Sequence, residues 1–138
     1  MPYPEFFVEP MREELTRLGV EELRTVADVD AAVTTPGTLM IVVNSICGCA
    51  AGKARPALAH ALTTGPRPDH LATVFAGGDI DATARAREHF APYPPSSPSI
   101  AFLRDGKLVH MIERRDIEMN TAEGIVARIR TAIAEHGK

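Results

Sequence analysis

Apolar residues change their period along this chain. Near the start they recur at helical spacing, with Met11, Leu15 and Leu18 on one face. Pro10 suits a first helical turn, Glu13 and Glu14 favour its positive end, and Gly19 ends it. A second short helix is predicted through Val26, Val29, Ala32 and Val33, stopped by Pro36-Gly37. The pattern then becomes an unbroken run, Leu39-Met40-Ile41-Val42-Val43, which is the signature of a strand buried on both faces. Residues 50–62 are alanine-rich and helical by propensity, and Pro56 is expected to kink that helix. Residues 71–75 predict a second apolar strand, closed by Gly77-Gly78. Residues 79–90 predict a helix with Asp79 and Asp81 in its first turn.

Four of the eleven prolines fall in the segment from Pro92 to Pro98, which reads as an ordered loop because it is short. Residues 99–103 and 107–112 predict two strands joined at Asp105-Gly106, a strong hairpin signal. Glu113-Arg114-Arg115-Asp116 reads as a solvated charge run at the end of the second. Asn120 with Glu123 resembles a capping box, and Ile125, Ile129 and Ile133 give the last helix an inward stripe. From residue 38 onward the order is β-α-β-α-β-β-α. Strands joined through a helix are parallel and the last two are antiparallel, so the fold class is α/β with a mixed central sheet flanked by helices.

The chain has 138 residues, which predicts one domain over 1–138, with 1–37 as a helical extension and 38–138 as the core. Its formal charge is −3, without the basic excess that nucleic-acid binding would need. The longest apolar run is a quarter of a membrane span, and the first residues lack an export signal. These features predict a cytoplasmic protein with neither a nucleic-acid nor a membrane partner.

Both cysteines sit together, as Cys47-Gly48-Cys49, whereas a disulfide scaffold would spread them out. They fall between the end of the first core strand and the start of a helix, where sites form in open α/β sheets. Free backbone N–H groups and the helix dipole favour thiolate over thiol there. Cys47 precedes the helix and is assigned as the exposed nucleophile. Cys49 is assigned as an inward-facing resolving or supporting thiol. Gly48 lets the backbone bend enough to join the two in a strained, readily reduced disulfide. Lys53 and Arg55 add positive charge nearby, with Arg55 read as a solvated helix-face residue. Two inert packed thiols, or two ligands of a metal, are the competing readings. Tetrahedral zinc wants four ligands, and the five histidines, His60 and His110 among them, form no paired motif, so no metal is expected. A Cys-x-Cys metal-binding or redox-sensing adaptor stays as the alternative to an enzyme.

The stretch Asn44-Ser45-Ile46-Cys47-Gly48-Cys49-Ala50-Ala51-Gly52-Lys53-Ala54-Arg55-Pro56 closely resembles the signature of the bacilliredoxin family, small bacterial proteins with a thioredoxin-like fold. The likeness extends over essentially the whole chain. It implies a thiol–disulfide oxidoreductase that removes bacillithiol, a low-molecular-weight thiol, from protein mixed disulfides, with weak disulfide isomerase activity described for members. By the resemblance Cys47 takes the bacillithiol and Cys49 resolves the adduct. The implied partners are S-bacillithiolated clients and a recycling reductase or free thiol. No cofactor is implied beyond bacillithiol as substrate. In thioredoxins a cis-proline opens the strand facing the active site, eight residues before the hairpin glycine. Pro98 precedes Gly106 by the same interval, so a cis Ser97–Pro98 bond is expected, leaving the Ser97 backbone to pair with an incoming peptide or thiol.

Overall fold

The computed structural model describes residues 3–136. Its elements are α1 (Glu5–Thr16), β1 (Glu21–Glu22), α2 (Val26–Thr34), β2 (Thr38–Asn44), α3 (Arg55–Thr64), β3 (His70–Phe75), α4 (Ile80–Arg87), β4 (Ser99–Arg104), β5 (Lys107–Ile112), α5 (Arg114–Glu118) and α6 (Ala122–His136). The strands form one sheet in the order β1-β3-β2-β4-β5. β3 runs parallel to β1 and β2, and β4 runs antiparallel to β2 and β5.

β2 is central and every one of its residues is buried, which explains its unbroken apolar run. Successive side chains point to opposite faces. Met40 and Val42 join Leu58, Ala61, Ile125, Ile129 and Ile133 in the layer under α3 and α6. Leu39, Ile41 and Val43 join Val29, Val33, Ala82 and Ala86 in the layer under α2 and α4. The β4–β5 turn has Asp105 at φ 50° and Gly106 at φ 81°, the positive pair that a two-residue hairpin requires. A Cβ on Gly106 would also lie 2.9 Å from the Val33 carbonyl oxygen. Among the described residues no helix is long and apolar enough to cross a membrane.

Several local expectations are corrected. α1 begins at Glu5, one turn before Pro10, so that Pro10 lies inside the helix and Glu13 and Glu14 lie far from its N-terminus. The segment before residue 38 contributes β1 as well as helices, and β1 extends the sheet beyond β3. No periodicity announces a strand of two glutamates. The charge run at 113–116 begins α5, whose capping box pairs Glu113 with Asp116. The first residue of the last helix is preceded by Thr121, whose hydroxyl accepts from the Gly124 N–H, so Thr121 caps α6 rather than Asn120. Asp79 precedes α4 without capping it through its side chain. It accepts instead from Arg12 of α1 at 2.7 and 3.0 Å.

Candidate active site

The chain leaves β2 at Asn44, which is buried, and turns sharply through Ser45, Ile46 and Cys47. The Cys47 carbonyl accepts from the N–H groups of Ala50 and Ala51, both at 3.1 Å, so helical structure begins immediately after Cys47. Residues Ala50–Ala54 form a π-helical turn, and α3 starts at Arg55. Pro56 stands near the start of α3, at the passage from π to α geometry, where a residue without an N–H is tolerated. Helical structure runs without a break from residue 48 to Thr64, so Pro56 lies within it, at the passage from π to α geometry where helices kink.

Cys47 is half-buried at this helix start. The Ser45 hydroxyl donates to its sulfur at 3.3 Å. Partial burial pushes the Cys47 thiol up. The Ser45 hydroxyl, the N–H groups of Ala50 and Cys49 and the charge of Arg114 more than offset this and hold it below the ordinary thiol value. Cys49, also half-buried, packs against the core layer under α3 and α6. Gly48 is exposed, and a Cβ there would touch nothing within 4 Å, so this dithiol form does not itself require glycine. Both cysteines are free thiols.

A buried polar scaffold stands behind the loop. Asn44 Oδ1 accepts from the Ser45 N–H and from Arg55 Nη1, both at 2.9 Å. Arg55 Nη1 also donates to the Ser45 carbonyl at 2.7 Å, and Asn44 Nδ2 donates to the Met11 carbonyl at 3.2 Å. Arg55 Nε lies 3.1 Å from Glu14 Oε1. Arg55 is only 3% exposed, so it is not the solvated residue that the sequence suggested. It fixes the backbone that aims the Ser45 hydroxyl. Lys53 points elsewhere and donates to the Glu118 carbonyl at 2.7 Å.

Cys47 opens into a cleft of about 330 Å³, shared with Tyr3, Ser45, Arg87, Ser97 and Arg114. The Ser97–Pro98 bond is cis, as is Ala91–Pro92. Pro98 is buried while Ser97 lines the cleft, so the proline loop forms the wall facing Cys47. Two arginines hold this wall. Arg114 Nη1 donates to the Ser97 carbonyl at 3.1 Å, and Arg87 Nη2 donates to the Ser96 carbonyl at 3.3 Å. The charge of the Cys47 thiolate raises the Arg114 pKa in turn. Sequence reasoning brought Cys47 and Ser97 to this cleft but missed both arginines. No spacing relates residues 87 and 114 to residue 47, because three different elements carry them. Tyr3 reaches the cleft by lying over Gly77, which has φ 86° and no room for a Cβ. His60 lies in a separate groove between α3 and α6, and His110 stacks on His136 with its ring tilted against Phe102. Among the described residues no three His, Cys, Asp or Glu side chains converge as a metal site would require.

Comparison with known proteins agrees with this geometry. A family model described as disulphide isomerase matches residues 3–137. A bacilliredoxin from Koribacter versatilis is 58% identical over 97% of this chain and 93% of its own. One from Geobacillus kaustophilus is 54% identical, over 94% of this chain and 89% of its own. Among solved structures, the thioredoxins of Malassezia sympodialis and Trypanosoma brucei brucei each superpose with TM-score 0.57, at 14% and 15% identity. The first covers 86% of this chain and 91% of its own, and the second covers 84% and 88%. These likenesses show the thioredoxin fold. With a dithiol at the end of its central strand and relatives matching it along nearly its whole length, the chain belongs to the bacilliredoxin family of thiol–disulfide oxidoreductases.

Proposed function

We propose that the protein removes bacillithiol from protein mixed disulfides in the cytoplasm, with Cys47 as nucleophile and Cys49 as resolving thiol. The observation that carries this reading is the Cys47 sulfur at a helix start, with a lowered pKa and an open cleft before it. The Cys47 thiolate attacks the sulfur of the small thiol. A new S–S bond forms, the bond to the client breaks, and the client leaves as thiolate. Cys49, once deprotonated, attacks the Cys47 sulfur and expels the small thiol, leaving a Cys47–Cys49 disulfide. Two electrons from a reductase or from free thiols restore the dithiol. Ser97 would offer its backbone to the bound substrate, Pro98 having no N–H of its own. The description of the matching family model supports weak disulfide isomerase chemistry at the same sulfurs.

The test offers purified protein a bacillithiolated and a glutathionylated client side by side. The expected result is faster release of bacillithiol, with peptide mapping finding an intramolecular Cys47–Cys49 disulfide afterwards. Equal or faster release of glutathione removes the bacillithiol assignment. Intermolecular dimers alone, or sulfinic acids, remove the resolving role of Cys49.

A further inference from the structure

Arg87 is an unusual residue to find beside a reactive thiol. It lies in the last turn of α4, half-buried, and lines the Cys47 cleft. Its Nη2 donates to a neutral acceptor, the Ser96 carbonyl, and its Nε is buried without a hydrogen-bond partner. No carboxylate pairs with it among the described residues, whereas Arg12, Arg24, Arg55, Arg85 and Arg114 each have one within 4 Å. Burial without a countercharge depresses its pKa. A guanidinium held this way costs stability unless an anion completes it. Arg114, across the proline loop, holds Ser97 and has its partner Glu118 on an exposed helix face. The cleft before Cys47 thus presents two guanidinium groups, Arg114, whose charge acts on the Cys47 sulfur, and Arg87, farther along the wall and wholly uncompensated.

We infer that Arg87, with Arg114, forms a carboxylate-recognition subsite that selects mixed disulfides whose small-thiol half is anionic. This deepens the proposed function and rests on it. The geometry suits the chemistry. Guanidinium donors match a carboxylate in pairs, and a small thiol attached through sulfur to Cys47 keeps its carboxylates within the same cleft. The attack itself needs no further group. Arg87 and Arg114 hold the half of the disulfide that Cys47 will accept, which directs the thiolate to that sulfur and lets the client leave.

The test uses one client protein carrying either of two small thiols on the same cysteine, mercaptosuccinate or neutral 2-mercaptoethanol. The reading is the ratio of the two release rates. In the wild type the ratio should favour mercaptosuccinate and should shrink as salt rises. Arg87→Gln should lower the ratio about tenfold, the worth of a charge-assisted hydrogen bond, and Arg87→Lys should restore part of it. A merely structural Arg87 would slow both substrates alike and leave the ratio standing, which overturns the subsite. A ratio unchanged by the substitution also overturns it. Wild-type protein that releases neither thiol, nor bacillithiol from the same client, overturns the proposed function and the subsite with it, whereas release of bacillithiol alone overturns only the subsite.

Discussion

The two walls of the cleft are built on opposite principles. The Cys47 wall rests on Asn44, Ser45 and Arg55, all buried, with both side-chain polar atoms of Asn44 and Arg55 Nη1 hydrogen-bonded and Arg55 Nε ion-paired with Glu14 of α1. The Ser97 wall is a proline loop held from outside by Arg87 and Arg114, neither of them fully buried. The first arrangement fixes a nucleophile in place, because a satisfied buried network resists movement. The second can exchange a protein carbonyl for a substrate anion, because Arg114 is partly exposed and Arg87 Nε has no hydrogen-bond partner to give up. A single cleft therefore joins a fixed attacking group to an adaptable receiving surface.

The sharpest way to break this division is at the sulfurs. Cys47→Ser should abolish release of the small thiol, measured by mass spectrometry of the client. Cys49→Ser should instead accept the small thiol and hold it as a mass increase on Cys47 until free thiol is added. The reverse pattern would place the nucleophile on the wrong residue, and full activity in both would remove redox chemistry from the site.

Next in size is the buried scaffold. Arg55→Met removes the donor to Asn44 Oδ1 and the Ser45 carbonyl, and should cost about 2 kcal/mol in urea unfolding. It should also slow exchange, since the Ser45 hydroxyl loses its fixed direction. Substituting the outer wall, as in Arg114→Gln, should leave the urea midpoint nearly unchanged while raising the Cys47 pKa, read from thiolate absorbance against pH. Added salt should narrow the gap between variant and wild type. Equal destabilisation by the two substitutions would erase the contrast between the walls.

A smaller effect concerns pH. The folded Cys47 pKa is depressed, so the thiolate's contribution to stability is full above the unfolded thiol pKa and is lost as pH falls through the folded one. The stability difference between wild type and Cys47→Ser should therefore grow from neutral to alkaline pH. A flat difference would mean that the helix start does not favour the thiolate. The smallest effect is at Gly48. Alanine fits the dithiol form and should stabilise it by about 0.5 kcal/mol, while making the Cys47–Cys49 disulfide harder to close. A redox titration of Gly48→Ala should show the dithiol favoured. An unchanged potential would remove glycine's part in ring closure.

Much of this protein was determined by sequence alone. The apolar run at 39–43 is legible as a central strand because burial on both faces leaves no polar alternation, and Asp105-Gly106 is legible as a turn because few residues accept positive φ. The dithiol is legible because both sulfurs lie within three residues of one another, at a strand end that local pattern alone locates. Only the tertiary structure decided what surrounds them. Arg55 reads as an exposed helix charge until α1 brings Glu14 and the Met11 carbonyl against the loop. Arg114 reads as a strand-end charge and Arg87 carries no local signal at all until the sheet order places β4, α4 and α5 around the end of β2. Local pattern reports the period and the turn, which depend on a few adjacent residues. The neighbours of a side chain depend on contacts across long sequence separations, 68 residues between the Gly37 N–H and the Asp105 carboxylate, and no local signal encodes them.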